Sequence, residues 1–276
     1  MSDIERKVAL ITGANSPIGM GAAITRALSA QGVDCFLSFL RRPGLLKDIP
    51  AEEVEAAHSP GLALYTAMSL KPPDELLEEI RAAGGRAAAW EADLAEVENI
   101  QLLFDKAEAE FGPVAILVNN AAHCPDADTL LDLTASSIDD TYAVNVRATL
   151  LLIVEFVRRY KKHKLAWGRI LNVSTGPAQE FAGQLAYGTS KAAIESATRA
   201  IAHEIGPLGI TINTVAPGAT QTGYIDKQAE EGLIPTIPMR RIGEPKDIAD
   251  TISFLASPEA SWITGQVIRV TGGRDM

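Results

Sequence analysis

Cysteine is scarce in this sequence and follows no spacing. Cys35 and Cys124 are the two among 276 residues, and neither belongs to a CxxC pair. That excludes a disulfide framework and a thiolate zinc site, so no metal is expected and two reduced thiols are. Cations are in short supply as well, with 25 Lys and Arg against 35 Asp and Glu, a formal charge of −10. Nucleic acids and anionic membrane surfaces are bound by clustered Lys and Arg, so neither is expected as a partner. No apolar run approaches the roughly 18 residues that span a bilayer; the best, Thr149–Val157, is short and broken by Glu155. The first apolar run, Val8–Ile11, is far too short for the core of a signal peptide. Internal repeats are missing too. A soluble, cytoplasmic protein is the expectation.

What is present is a core. Apolar residues make up 47% and charged residues 22%, enough for a globular interior. Strand patterns at Val8–Thr12, Asp34–Phe39, Ala87–Trp90, Ala115–Asn119, Arg169–Ser174, Thr211–Ala216 and Val267–Val270 alternate with helical patterns. The helices are expected near Gly21–Ala30, Asp74–Ala83, Glu96–Phe111, Ser136–Tyr160, Ala186–Ile205 and Lys246–Ala256. Apolar strands buried on both faces and alternating with helices predict an α/β fold. The expected form is a single doubly wound Rossmann-type parallel sheet, helices on both faces, filling residues 1–276 as one domain. An irregular insert at about 40–73 interrupts the rhythm with Pro43, Pro50, Pro60, Pro72 and Pro73. A short helix is expected inside it at Ala51–Ala57. Long structureless stretches in compact domains are usually functional or disordered, and this one begins where it could fold over the adenosine end of a cofactor.

The first strand runs into Gly13-Ala14-Asn15-Ser16-Pro17-Ile18-Gly19-Met20-Gly21. Glycines at a strand-to-helix turn let the backbone approach a pyrophosphate and aim N–H groups at it. Gly13, Asn15, Ser16, Gly19, Met20 and Gly21 are therefore candidate cofactor contacts. The second strand leads into Leu40-Arg41-Arg42 with no carboxylate of its own. A carboxylate there would favour the ribose 2′-hydroxyl of NAD, whereas guanidiniums hold a 2′-phosphate by charge-assisted hydrogen bonds. Arg41 and Arg42 thus point to NADP(H), with NAD(H) as the alternative and a merely solvated loop start as the structural one.

Ser174 precedes Tyr187 by thirteen residues, and Lys191 follows Tyr187 by four. Residues at i and i+4 share a helix face. An ammonium beside a phenol stabilises the phenolate and is expected to pull the tyrosine below its usual value of about 10, where it serves as an acid or base. Ser174, at the C-terminal end of a strand, is placed to bind the same substrate oxygen.

These motifs resemble those of the short-chain dehydrogenase/reductase family in its single-domain form, and the resemblance runs along almost the whole chain. Gly13…Gly19-Met20-Gly21 looks like the glycine motif, Asp93-Leu94 like the adenine-pocket pair, and Asn119-Asn120-Ala121-Ala122 like the sheet-stabilising motif, with alanine where glycine is commoner. Asn145, Ser174, Tyr187 and Lys191 resemble the catalytic tetrad; Pro217, Gly218, Thr220 and Thr222 lie where the family meets the nicotinamide. The Gly243-Glu244-Pro245 and Trp262–Gln266 stretches are similar to members that reduce 3-oxoacyl carrier-protein thioesters. The resemblance implies that Tyr187 exchanges a proton with the substrate oxygen and that Lys191 lowers its pKa and holds the nicotinamide ribose. It implies that Ser174 polarises the substrate oxygen and that Asn145 anchors a proton-relaying water. Asn119 and Ala121 become cofactor-contact candidates on the same ground, and a homotetramer, or a homodimer, is implied.

The chain departs from the pattern in its longer glycine loop, five residues between Gly13 and Gly19, with Pro17 inside it and no basic residue. Related enoyl reductases also use longer loops but space Tyr and Lys more widely, so the spacing here favours carbonyl chemistry. His123, Phe181, Gln184 and Tyr224 are possible substrate neighbours, and Trp262 a core or subunit-interface residue. The run Arg158–Lys164 reads as cations at a helix end. Residues 222–239 are the variable substrate loop, expected to close on binding. The leading expectation is an NADPH-dependent reductase of a 3-oxoacyl thioester or related ketone, acting on a small carbonyl or alcohol. An NAD-dependent alcohol dehydrogenase and a non-catalytic dinucleotide sensor are the alternatives.

Overall fold

A computed structural model describes residues 4, 6–41, 49–125 and 128–274. Seven parallel strands form one sheet in the order β3-β2-β1-β4-β5-β6-β7. They are β1 Val8–Thr12, β2 Asp34–Phe39, β3 Ala87–Glu91, β4 Val114–Asn119, β5 Gly168–Val173, β6 Ile210–Pro217 and β7 Val267–Val270. The helices are α1 Met20–Ser29, α2 Ala51–Glu55, α3 Leu62–Ser69, α4 Asp74–Ala82, α5 Val97–Phe111, α6 Ala135–Tyr142, α7 Thr149–Lys162, α8 Leu185–Ile205, α9 Lys227–Leu233 and α10 Pro245–Ala256. The doubly wound expectation is met at every strand.

Alternate residues of a strand face opposite layers, and here each layer finds its own helices. Ala9, Ile11, Cys35 and Leu37 pack with Ile24 and Leu28 of α1 and Ile248 and Ile252 of α10. Val8, Leu10 and Phe36 pack with Phe104 of α5 and Phe156 of α7. Phe156 is fully buried; truncating such a ring to alanine costs about 3–5 kcal/mol. Helix ends follow local chemistry. Thr134 caps α6 by accepting from Ser137 N at 3.1 Å, and α10 opens with Pro245 at its first turn behind a Glu244–Asp247 capping box.

The structure corrects the sequence reading in three places. The helix expected as one piece from Ser136 to Tyr160 is α6 and α7 joined by a π-helical stretch, Ala143–Ala148, which contains Asn145. Such single π turns recur at functional sites. Residues 222–239, expected as a variable loop, carry α9 and a 3₁₀ turn, Ile234–Thr236. The described part of the insert holds two helices where one was expected, and it turns towards residues 223–224: Gly61 N donates to Gly223 O at 2.8 Å. Arg42 lies outside the described residues.

Order reverses between β1 and β4, which leave the sheet towards opposite sides. In open α/β sheets the crevice beyond the carboxyl ends of the strands at that switch point is the ligand site. Thr12 and Asn119 end those two strands, so the sequence motifs at 13–21 and 120–124 meet there.

Candidate active site

A cavity of about 450 Å3 occupies the switch point, running from the glycine loop to Tyr187. Its cradle is held by backbone proximity. Gly13 adopts φ +72°, and a Cβ on it would lie 2.7 Å from Ala121 Cα; a Cβ on Gly21 would lie 2.3 Å from Gly13 O. Only glycine fits both positions. Asn120 clamps the turn by donating through Nδ2 to Thr12 O at 2.9 Å and Gly13 O at 2.8 Å, while Thr12 Oγ1 accepts from Asn120 N and Ala121 N. Ser16 Oγ is buried in this loop with no partner, a donor suited to a phosphate oxygen.

Of the residues expected at the cofactor, Gly13, Asn15, Ser16, Gly19, Met20, Gly21, Asp93, Leu94, Ala121, Thr220 and Thr222 line the cavity. Asn119 does not. It is buried and donates through Nδ2 to Asn172 Oδ1 at 2.8 Å, bridging β4 and β5; Asn120 is the motif residue that faces the loop. Pro217 and Gly218 sit behind the lining, bound through Pro217 O to Gly176 N at 2.7 Å and through Gly218 N to Val270 O at 2.9 Å. Arg41 is engaged elsewhere: its backbone N, Nε and Nη2 all donate to the carboxylate of Glu91 at the end of β3, at 2.6–3.1 Å. The carboxylate missing from the C-terminal end of β2 is supplied by its neighbouring strand, a cross-strand pairing that the sequence of β2 alone does not reveal.

The groups expected to handle the proton come from three elements. Tyr187 and Lys191 stand one turn apart in α8, with Lys191 Nζ 5.6 Å from the Tyr187 ring centre. Lys191 donates to Val173 O at 2.9 Å and is buried. Burial pushes its ammonium down to about 8, against a small opposing effect of the Cys124 thiol. Burial likewise drives the Tyr187 phenol above the ordinary tyrosine range, helped by Cys124 and Tyr65 nearby. The direction is opposite to the one expected from Lys191: desolvation is the leading cause, and the phenol is held protonated.

Two more tetrad expectations change in detail. Ser174 Oγ donates its proton to Glu195 Oε1 at 2.7 Å, a buried carboxylate on the Tyr187–Lys191 face of α8. To polarise a substrate oxygen the hydroxyl must turn away from that carboxylate. Asn145 gives both amide protons to the protein, to His123 O at 2.8 Å and Ser190 Oγ at 2.9 Å, and its Oδ1 accepts from His123 N at 2.7 Å. Its side chain braces the 120–124 loop against α8.

Residues that sequence reasoning passed over complete the site. Asp128 is buried and accepts from Tyr187 N at 2.9 Å, so a carboxylate caps the N-terminus of α8, where the helix dipole favours it. No local pattern marks Asp128. Glu195, at i+8 from Tyr187, was legible from helical periodicity. Tyr65 of α3 also lines the cavity, with His123, Cys124 and Tyr224. Gln184 accepts from Cys124 Sγ at 2.9 Å, and Phe181 meets Tyr187 edge-on at 5.8 Å. Trp262 is not core: it is 98% exposed. In the run Arg158–Lys164, Arg159 is buried and bonds Glu155, Asp105 and Glu108, so it ties α7 to α5. A second, larger groove of about 780 Å3 beside α1 and α10 shares only Gly19 with the predicted site. Among the described residues no cluster suited to a metal ion occurs, and no helix is long and apolar enough to cross a membrane.

A parallel sheet with a glycine cradle at its switch point, and a tyrosine across the same cavity backed by a buried lysine, defines a nicotinamide-dinucleotide oxidoreductase. The family model described as Enoyl-(Acyl carrier protein) reductase matches residues 44–275. An uncharacterized oxidoreductase, YjdA, of Bacillus subtilis is 39% identical, covering 99% of this chain and 98% of that protein. A probable tetrahydroxynaphthalene reductase of Zymoseptoria tritici is 31% identical over 100% and 97% of the two chains. Among solved structures, a blue fluorescent protein from a metagenomic library in complex with NADPH superposes with a TM-score of 0.78 at 30% identity, over 98% of each chain. A short chain dehydrogenase from Burkholderia cenocepacia in complex with NADP gives 0.80 at 29% identity, over 98% of each. The chain belongs to the short-chain dehydrogenase/reductase family and is an NAD(P)-dependent enzyme of that family.

Proposed function

We propose that this enzyme reduces a ketone to an alcohol with NADPH. The observation that carries the reading is Tyr187, which lines the same cavity as the glycine cradle with Lys191 buried one turn behind it. The cradle fits a dinucleotide: Gly13 and Gly21 leave the space a Cβ would fill, and Ser16 Oγ awaits an acceptor. Gly13, Ser16, Gly19 and Gly21 would hold the pyrophosphate, Asp93 and Leu94 the adenine end, and Thr220 and Thr222 the nicotinamide end. The bound cofactor supplies the hydride, which adds to the carbonyl carbon as the cofactor is oxidised.

The chain's own residues handle the proton. Tyr187, held neutral by burial, donates its phenolic proton to the carbonyl oxygen and is reprotonated from solvent. The Lys191 ammonium stabilises the transient phenolate, and Asp128 fixes the first turn of α8 on which Tyr187 rides. Ser174 leaves Glu195 to donate to the substrate oxygen. NADPH is favoured over NADH by the NADPH and NADP complexes among the structural relatives. The four-residue spacing of Tyr187 and Lys191 favours carbonyl over alkene reduction. Trp262, exposed on the single chain, would lie in the interface of a cytoplasmic homotetramer.

The test is NADPH absorbance with a panel of ketones and 3-oxoacyl thioesters. Positioned general acids contribute about 10²–10⁴-fold, so Tyr187→Phe is expected to lose at least about 10³-fold in kcat with NADPH binding retained. A variant as active as the parent would sink the assignment of Tyr187.

A further inference from the structure

We propose that the described part of the insert builds one wall of the substrate slot and that Tyr65 on it selects ring ketones fused to an aromatic ring; this rests on the ketone-reductase reading above. The described part of the insert is fixed from two sides. Gly61 N donates to Gly223 O at 2.8 Å, and Asn15 of the glycine loop donates through Nδ2 to Ser69 O and Lys71 O. Helix α3 therefore bridges the cofactor cradle and the 222–239 segment, and Tyr65, Thr66, Ser69 and Leu70 line the cavity that Tyr187 lines.

Aromatic edges shape that end of the cavity. The Tyr65 and Tyr224 rings stand 5.5 Å apart at 83°, and Phe181 stands 5.8 Å from Tyr187 at 72°. Burial raises the Tyr65 phenol above its usual value, and the Cys124 thiol adds to it, so Tyr65 presents a neutral ring near the acid. Rings set edge to face leave one face or edge of each open to a third ring, and aromatic pairs prefer offset-stacked or edge-to-face geometry. A flat ketone can meet that surface, whereas a puckered saturated ring presents axial hydrogens to it.

Charge narrows the class further. Among the described residues lining the cavity there is no Lys or Arg, and Asp93, at the adenine end, is the only carboxylate. Beyond the glycine loop, which the dinucleotide's pyrophosphate would fill, no cation in that lining would grip the phosphate of a carrier-protein or coenzyme A thioester. A neutral ring ketone needs no such grip, and the expected 3-oxoacyl thioester loses ground to it.

The experiment compares 2-tetralone with its saturated counterpart 2-decalone as substrates, in the parent, Tyr65→Leu and Tyr65→Phe. The parent is expected to show a KM at least about ten-fold lower for 2-tetralone, an aromatic contact on that scale being ordinary. Tyr65→Leu should raise the 2-tetralone KM about ten-fold, leaving kcat, the 2-decalone KM and NADPH affinity within about two-fold, and Tyr65→Phe should keep the parent's preference. Should Tyr65→Leu fail to bind NADPH, Tyr224→Leu makes the same comparison from the facing ring. Equal KM values for both ketones in the parent, or a change in Tyr65→Leu that is the same for both, overturns the slot and leaves the reductase standing. Turnover of neither ketone counts against the reductase reading, and calorimetry of 2-naphthol with the NADP-loaded protein then decides the slot separately. Binding that weakens in Tyr65→Leu supports it, and no binding by the parent overturns it.

Discussion

The two ends of the cavity are built by different means. The cofactor end is backbone on backbone: Gly13 and Gly21 lie within a Cβ's reach of neighbouring main chain, and Asn120 and Thr12 stitch the turn with main-chain hydrogen bonds. The substrate end is side chain on side chain, with Tyr65, Tyr224, Phe181 and Tyr187 arriving from segments far apart in sequence. Backbone contacts tolerate no added atom, whereas side-chain contacts tolerate exchange for another of similar shape. The first end should therefore break outright under small substitutions, and the second should change preference.

Gly21→Ala tests the first half of that contrast, and its effect should be the largest. The new Cβ would stand 2.3 Å from Gly13 O and 2.8 Å from Ala14 Cα, so the start of α1 and the Gly13–Ala14 backbone must separate. Misplacement of a reacting group by about 1 Å costs roughly 10²-fold. We expect NADPH affinity to fall by at least about 100-fold, measured by fluorescence titration, with a lowered Tm. An alanine variant that binds as tightly as the parent would show that the loop is not held by this contact.

The same contrast explains what could be read in advance. Every strand was legible because β-branched and apolar runs buried on both faces have few other uses, and the glycine loop and the Tyr187–Lys191 spacing are local patterns. What escaped was what depends on tertiary contact. Helix α3 escaped because its apolar residues, Leu62–Ser69, show no clear helical stripe and are organised by Gly223, Tyr224 and Asn15. Asp128 reaches Tyr187 N across 59 residues, and no sequence spacing encodes that. Asn119 lies one position away from the cavity lining, since a strand residue and its successor face different ways. The direction of the Tyr187 shift failed because burial is not visible in a Tyr-xxx-Lys pattern.

That pair gives the next prediction, of intermediate size. Lys191 is held near 8, below its ordinary 10.5, so it loses its charge as pH rises through about 8. Without the ammonium the phenolate left by proton donation is unsupported. The kcat/KM for ketone reduction should then fall about ten-fold per pH unit above that point, and a profile flat to pH 9.5 would break the link. Stability runs the other way over part of this range. Between about 8 and 10.5 the unfolded chain binds more protons at Lys191 than the folded one, so stability rises with pH there. The recovered amount is at most about 3 kcal/mol, and it should vanish in Lys191→Met, read as a Tm that no longer climbs over that window. Tyr187 acts oppositely: its raised value means that the folded state keeps the phenolic proton longer, so stability is lost as pH rises beyond the tyrosine's ordinary 10.

The smallest effect is expected at the adenosine corner, and it bears on which cofactor is chosen. Arg41 was read from sequence as a ligand for a 2′-phosphate, yet Glu91 accepts from its backbone N, Nε and Nη2. A phosphate would have to compete with a carboxylate already in place, and would gain little from a cation whose charge is offset. Both side chains are solvent-accessible, and exposed ion pairs are worth little either way. Arg41→Ala should therefore change the ratio of NADPH to NADH efficiency by less than about five-fold. Glu91→Gln should change it in the other direction, towards NADPH, by releasing the guanidinium. A loss of 100-fold in NADPH efficiency for Arg41→Ala would mean that Arg41 leaves Glu91 for the phosphate, and the adenosine corner would then be an adaptable side-chain contact like the substrate end.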